Sequence, residues 1–121
     1  MHSAHSAGIA VDLTLVTLPL GRVADFDPAA RYGACTAPAA ERVPDNSIDM
    51  GTGFDCFDHR AYTASDGLTP EQKRWRGVLV AAMRKRGFHN YFREWWHFSY
   101  APHPRALFDF PIAPRPSSTF P

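Results

Sequence analysis

The sequence lacks any apolar run approaching the roughly 20 residues that a membrane-spanning helix requires. It also lacks an excess of one charge, because 13 Lys and Arg residues are balanced by 12 Asp and Glu residues, which gives a formal net charge of +1. The densest basic stretch is the short "RKR" at 84–86. We therefore expect neither a membrane span nor a nucleic-acid partner.

Cysteine is scarce, with Cys35 and Cys56 as the two examples in 121 residues. The pair allows one disulfide, two free thiols or two soft metal ligands, and the sequence alone leaves these alternatives open. A bridge would close a loop of about 20 residues and add on the order of 3 kcal/mol of stability in an oxidising compartment. Hydrophobic residues make up 45% of the chain, which is typical of one globular domain.

The N-terminal part predicts a turn followed by a strand. From Ile9 to Leu18 polar and apolar residues alternate, so that Leu13 and Leu15 share a face with Val11 while Asp12 points to the other side. The "SAG" at 6–8 allows a turn that brings His5 back to the side of Asp12. The segment 20–53 is rich in Gly, Ala, Pro and Asp and predicts a long loop.

A helix is predicted over about 69–86. Thr69 is a good N-cap, Pro70 suits the first helical position and Gln72 completes a capping box. Apolar residues then recur at helical spacing, and Gly87 supplies a stop: Trp75, Val78, Leu79, Ala82, Met83. The aromatic segment 88–100 predicts a strand packed on this helix, and the proline-rich end predicts an extended chain with a disordered tail at 113–121.

Three residues form a candidate metal site. A catalytic zinc ion typically has three protein ligands drawn from His and Asp or Glu plus one open position, and His5, Asp12 and His97 supply such a set. Glu94 lies three residues before His97, so a bend within "EWWH" would place its carboxylate beside the metal as a general base. Together these parts describe a peptidase.

Each of these residues also has an ordinary structural interpretation. A single histidine before a strand is commonly a surface or capping residue, and an aspartate in a strand commonly serves a turn or a salt bridge. Trp95 and Trp96 are expected in the core or as a platform. The remaining histidines are expected to be solvated: His2, His59, His89, His103.

Three stretches resemble the signatures of one family. "SAHSAGIAVDLTL" at 3–15 is similar to S-x-H-x-x-G-x-A-x-D, "DMGTGFDCFD" at 49–58 to M-G-T-x-F-D, and "EWWHF" at 94–98 to E-x-x-H, as found in the VanX-type D-alanyl-D-alanine dipeptidases. The resemblance runs in the family's order from Ser3 to about Ile112. The family is a group of zinc peptidases related to D,D-carboxypeptidases and to the hedgehog signalling domain.

The resemblance implies an α+β fold, with a small antiparallel sheet, a packed helix and a zinc site on the sheet face. One zinc ion per chain would be held by His5, Asp12 and His97, with Glu94 as the general base. Asp55 would hold the substrate's free ammonium group, and Ser3 would line the pocket. Residues 1–112 would then be the C-terminal portion of a peptidase domain.

The resemblance also implies a biological setting. The partner would be a small D,D-dipeptide, namely D-alanyl-D-alanine or a relative, in cell-wall metabolism. The compartment would be the bacterial periplasm or cell envelope, with the cytoplasm as the alternative. The oligomeric state is not indicated.

Two departures from the family pattern keep other functions in view. Family members carry a further half domain before the first signature, including an arginine that stabilises the developing oxyanion. The segment 20–48 is longer than the shorter members need, and a Cys35–Cys56 disulfide would pin it beside the substrate-binding loop. The alternatives are a noncatalytic zinc-binding or wall-binding module, a fragment that does not fold alone, and a D,D-carboxypeptidase.

Overall fold

The computed structural model describes residues 3–100, and its best-defined element is the helix α1, Pro70–Arg84. The predicted capping box is confirmed: the Gln72 backbone N–H donates to Thr69 Oγ1 at 3.2 Å, and the Thr69 N–H donates to Gln72 Oε1 at 3.0 Å. Gly87 follows the helix with φ +83°, a conformation that L side chains rarely adopt. The helix is therefore set by its local sequence at both ends.

Three short strands form an antiparallel sheet in the order β1-β3-β2, which confirms the α+β class. They are β1, Ala10–Asp12, β2, Phe88–Asn90, and β3, His97–Tyr100. In the register of β1 and β3, Asp12 lies opposite His97. The central strand comes from the end of the described chain and one of its neighbours from the beginning, so the sheet brings the two outer signatures together.

The strands differ in length from the sequence predictions. The strand expected over Ile9 to Leu18 pairs only as far as Asp12; the Leu13 N–H then donates to the Trp96 carbonyl at 3.1 Å, and the next pairing is an isolated bridge at Val16. The single strand expected over 88–100 is instead the hairpin of β2 and β3. Its connection, 91–96, turns because the Glu94 N–H donates to the Tyr91 carbonyl and breaks the extended run.

The segment 20–53 is a long excursion without a named strand or α-helix, as predicted. One 3₁₀ turn, Ala39–Glu41, interrupts it. Cys35 is joined to Cys56 by a disulfide, and the Gly53 N–H donates to the Cys35 carbonyl at 2.9 Å. The excursion is thereby tied to the second signature, which contains Cys56.

The core lies between α1 and the sheet, and Trp95, Trp96 and Phe98 are buried in it, as the sequence predicts for the two tryptophans. Arg76 is buried beside them and donates to the carbonyls of Met50 at 2.7 Å, Tyr62 at 2.7 Å and Arg60 at 2.9 Å. Burial, followed by the nearby Arg60 charge, lowers the pKa of Arg76 to about 10, so it stays charged at neutral pH.

Two expectations fall partly outside this description. The end of the proposed domain at residue 112 and the tail at 113–121 lie beyond the described residues.

Within residues 3–100 no helix combines the length and apolar character needed to cross a bilayer.

Candidate metal centre and adjoining cleft

A tight turn places His5 at the edge of the sheet. The Gly8 N–H donates to the His5 carbonyl at 2.9 Å, and the Ile9 N–H donates to the Ala4 carbonyl at 3.2 Å. Gly8 has φ +68°, which favours glycine at this position. The turn predicted from "SAG" is thus present, and it directs the His5 ring back toward the strand that follows.

Three donor atoms converge at the end of the β1–β3 ladder. His5 Nε2 lies 3.1 Å from His97 Nδ1 and 3.4 Å from Asp12 Oδ1, and His97 Nδ1 lies 3.1 Å from the same carboxylate oxygen. The His5 and Asp12 side chains are 42% and 35% exposed, whereas that of His97 is 15% exposed. A cation held by these atoms would keep an open side toward solvent, so this group can serve as a metal centre.

His97 is oriented through its second ring nitrogen. His97 Nε2 lies 3.2 Å from Ser99 Oγ, two residues further along the same face of β3. In the tautomer protonated at Nε2, this nitrogen donates to the hydroxyl and Nδ1, which faces His5 and Asp12, keeps its lone pair. Such an outer hydrogen bond commonly fixes the tautomer and ring orientation of a ligating histidine.

Glu94 stands next to the centre because the chain bends before β3. The His97 N–H donates to the Glu94 carbonyl at 3.2 Å, which confirms the bend predicted within "EWWH". Glu94 Oε2 lies 3.7 Å from His97 Nδ1. Asn90 Nδ2 donates to the carbonyls of both Glu94 and His97 at 3.0 Å and so holds the bend from the neighbouring strand.

The second signature contacts the third through the core. Trp95 Nε1–H donates to Thr52 Oγ1 at 2.9 Å, and both side chains are buried. The Phe54 ring lies 5.2 Å from the Trp95 ring and 6.0 Å from the Trp96 ring, measured between centroids. Asp55 follows Phe54 directly and precedes the buried Cys56, so the position of this loop is fixed on both sides.

Asp55 and Ser3 occupy exposed positions. Asp55 is exposed and has φ +50°, a left-handed conformation unusual for a residue other than glycine. Ser3 Oγ accepts a hydrogen bond from the His5 N–H at 3.2 Å, which connects it to the metal centre through the backbone.

A cleft of about 370 Å³ opens beside Glu94. Glu94 and Arg93 form one part of its lining, and Cys56 and Phe57 form another, directly after Asp55. The general-base candidate and the loop of the second signature therefore border one concave region, and Glu94 connects this cleft to the candidate metal centre. The volume of the cleft is within the range of small-molecule sites.

Sequence reasoning missed three residues of this region. Ser99 has the signal of two-residue strand spacing from His97, which would have placed both side chains on one face. Arg93 stands beside Glu94 in "REWWH", but nothing in that string shows that it borders a cleft. Asn90 carries no sequence signal, because its contacts exist only once the hairpin is folded.

Comparisons with known proteins find similarity over most of the chain. A family model described as D-ala-D-ala dipeptidase matches residues 41–113, a range that contains Asp55, Glu94 and His97. A D-alanyl-D-alanine dipeptidase of Enterococcus faecium is 34% identical over 112 residues, which are 91% of this chain and 44% of the relative.

Two further relatives carry the same name. The dipeptidase of Streptomyces coelicolor is 32% identical over 92% of this chain and 44% of its own length. That of Escherichia coli is 32% identical over 79% of this chain and 37% of its own length. The chain thus spans less than half the length of these curated relatives.

Proposed function

The chain belongs to the D-Ala-D-Ala dipeptidase family of peptidases, and from this premise we propose that it takes part in hydrolysis of D-alanyl-D-alanine or a related D,D-dipeptide with one zinc ion at His5, Asp12 and His97. The observation that supports the proposal most directly is the convergence of these three side chains, with Glu94 beside them. A dipeptidase of this kind would act in cell-wall metabolism on a small substrate.

The donor geometry fits a zinc ion. With bonds of about 2.0–2.1 Å, two ligand atoms of a tetrahedral zinc ion lie about 3.3 Å apart. The three separations between His5 Nε2, His97 Nδ1 and Asp12 Oδ1 are 3.1, 3.1 and 3.4 Å. Two imidazoles and one carboxylate are also a ligand set that zinc peptidases use. These residues would hold the ion from the sheet face.

Glu94 would move the proton in the reaction. Bound zinc would polarise the scissile carbonyl and lower the pKa of a water molecule to about 7. The Glu94 carboxylate would accept a proton from the attacking water and return it to the leaving amino group, the usual task of a general acid–base residue. Its Oε2, 3.7 Å from His97 Nδ1, is close enough to the centre for this role.

Asp55 would select substrates with a free amino end. A carboxylate paired with the substrate's ammonium group makes an ion pair that a longer peptide, whose nitrogen is an amide, does not offer. Ser3, held to the backbone of His5, would line the same pocket. The fixed position of the loop between Phe54 and Cys56 supports this assignment, because both neighbours of Asp55 are anchored.

The proposal is tested by the variant Glu94→Gln. We expect release of free D-alanine from D-alanyl-D-alanine to fall by roughly 10²–10⁴-fold, because the proton acceptor is lost. Zinc content, measured by atomic emission on the dialysed protein, should stay at one ion per chain. Glu71→Gln, in the first turn of α1, is the matched control and should keep the wild-type rate.

Three other outcomes would contradict parts of the proposal. Equal rates for wild type and Glu94→Gln would refute the assigned base. Binding of zinc and dipeptide without D-alanine release would instead indicate the noncatalytic module. A preference for longer wall peptides over the dipeptide would indicate a D,D-carboxypeptidase.

A further inference from the structure

The cleft beside Glu94 has an aromatic wall and a small number of charged groups. Phe57, Tyr62 and Tyr91 contribute rings, and Asp58, Arg93 and Glu94 contribute charges. A mostly apolar cavity with a few convergent polar groups is the usual form of a site for a small ligand. The charged groups should therefore determine the orientation in which a ligand binds in the cleft.

The two carboxylates of this lining already have partners. Asp58 Oδ1 accepts a hydrogen bond from the Arg60 N–H at 2.8 Å, which caps the 3₁₀ turn His59–Ala61. Glu94 faces His97 in the metal centre. Neither carboxylate is therefore directed solely at a ligand in the cleft.

Arg93 is different, because it brings a permanent positive charge to the lining and has no acceptor for its guanidinium within residues 3–100. Its Cζ lies 5.4 Å from the centre of the Phe92 ring, which supports the side chain from one side. A guanidinium without a protein acceptor presents two parallel N–H donors, which match the two oxygens of a carboxylate.

We propose that Arg93 binds the free α-carboxylate of the dipeptide substrate, an assignment that rests on the hydrolytic function proposed above. Arg93 directly precedes Glu94, and both border the cleft. In a dipeptide the free carboxylate belongs to the residue that supplies the nitrogen of the peptide bond, and the two Cα atoms of the dipeptide are about 3.8 Å apart. A substrate with its peptide bond at Glu94 thus has its carboxylate within reach of the long Arg93 side chain. Arg93 and Asp55 would then recognise opposite ends of the dipeptide and limit its length from both sides.

The test compares D-alanyl-D-alanine with its C-terminal amide, which lacks the carboxylate charge. In the zinc-loaded chain, Arg93→Ala should raise the KM for the acid by roughly 10- to 100-fold with little change in kcat, the size expected for a hydrogen bond to a charged group. The KM for the amide should stay the same. Arg93→Lys, which keeps the charge but loses the fork, should restore part of the preference for the acid.

Arg74→Ala is the matched control. Arg74 also lies over an aromatic ring, with Cζ 4.3 Å from the centre of Trp75, but it belongs to α1 and does not border the cleft. This variant should leave both KM values unchanged. An equal effect of Arg93→Ala on acid and amide, or no effect on either, would overturn the assignment of Arg93.

Failure of the hydrolytic function is recognised separately. If the wild-type chain releases no D-alanine, calorimetric binding of the acid and the amide to the same zinc-loaded variants decides the role of Arg93. Tighter binding of the acid by wild type, lost in Arg93→Ala, would support it without turnover. Equal binding of acid and amide by wild type, or no binding of the acid, would refute it.

Discussion

At the scale of single residues, His97 is the best-supported side chain of the metal centre, because both of its ring nitrogens have partners. Nδ1 faces Asp12 at 3.1 Å, and Nε2 faces Ser99 Oγ at 3.2 Å. The hydroxyl would therefore influence metal binding through the histidine, without touching the ion. Ser99 is a positioning residue in this arrangement.

We expect Ser99→Ala to weaken zinc binding by about 10-fold, because loss of an outer hydrogen bond typically costs 10- to 100-fold in metal affinity. Competition with a chromophoric chelator measures the change directly and does not depend on activity. Ser99→Thr keeps the hydroxyl and should stay close to wild type. Equal zinc affinity of the alanine and threonine variants would refute the positioning role assigned to Ser99.

The candidate residues differ in how well the sequence predicts their surroundings. His5, Asp12 and His97 meet in the structure as the signatures imply, and the bend before His97 follows from the spacing of Glu94. Arg93 was not anticipated, because bordering a cleft depends on which distant loop lies opposite. That information arises only from tertiary structure.

At the scale of elements, the start of α1 is linked to the beginning of the second signature by Asp49. Its Oδ2 accepts a hydrogen bond from Gln72 Nε2 at 2.9 Å, and its Oδ1 accepts from the Gly51 N–H at 2.9 Å and from Arg42 Nη2 at 2.7 Å. Burial by itself raises the pKa of Asp49, but these bonds from Gly51, Gln72 and Arg42 outweigh it and hold the pKa below its ordinary value of 3.8.

This shift predicts a pH-dependent contribution to stability. A carboxyl whose folded pKa is depressed stabilises the fold at pH values above its unfolded pKa, and the contribution is lost as the pH falls through the folded pKa. Asp49→Asn should therefore be less stable than wild type at pH 7, with the difference in urea midpoint shrinking below about pH 4. Asp66→Asn, in an exposed turn, is the control; a difference for Asp49→Asn that does not change with pH would contradict this explanation.

The helix and the strands were predictable to different degrees for a physical reason. The capping box and Gly87 act within a few residues, so the sequence locates α1 to within about two residues at its ends. A strand exists only where a partner pairs with it. The β1 strand ends at Asp12 because its partner β3 begins at His97, where the Glu94–His97 turn takes the chain out of the sheet and leaves one further hydrogen bond in register, from Leu13 to Trp96.

At the scale of the whole molecule, the long excursion is anchored to the cleft by the Cys35–Cys56 disulfide. Cys56 is buried, borders the cleft and follows Asp55. The spacing of two cysteines gave no means of choosing among a bridge, free thiols and metal ligands. The structure contains the bridge.

We expect reduction of this disulfide to speed proteolytic nicking between residues 20 and 48, because the excursion has no α-helix or strand of its own to hold it. Trypsin cleavage at Arg22, Arg31 and Arg42, followed by mass spectrometry, measures the change. The double variant Cys35→Ser, Cys56→Ser should behave like the reduced protein, and cleavage within α1 should not change. Equal nicking of the oxidised and reduced forms would show that other contacts hold the segment.

The pairing of Asp12 with His97 across β1 and β3 has a practical consequence. Successive side chains along a strand point to opposite faces, so a slip of one residue between these strands would separate the carboxylate from the imidazole. Misaligned conformers would then lack the convergence of His5, Asp12 and His97 that correctly paired chains possess. Immobilised-metal chromatography of a refolding mixture would accordingly sort the molecules by the alignment of their strands.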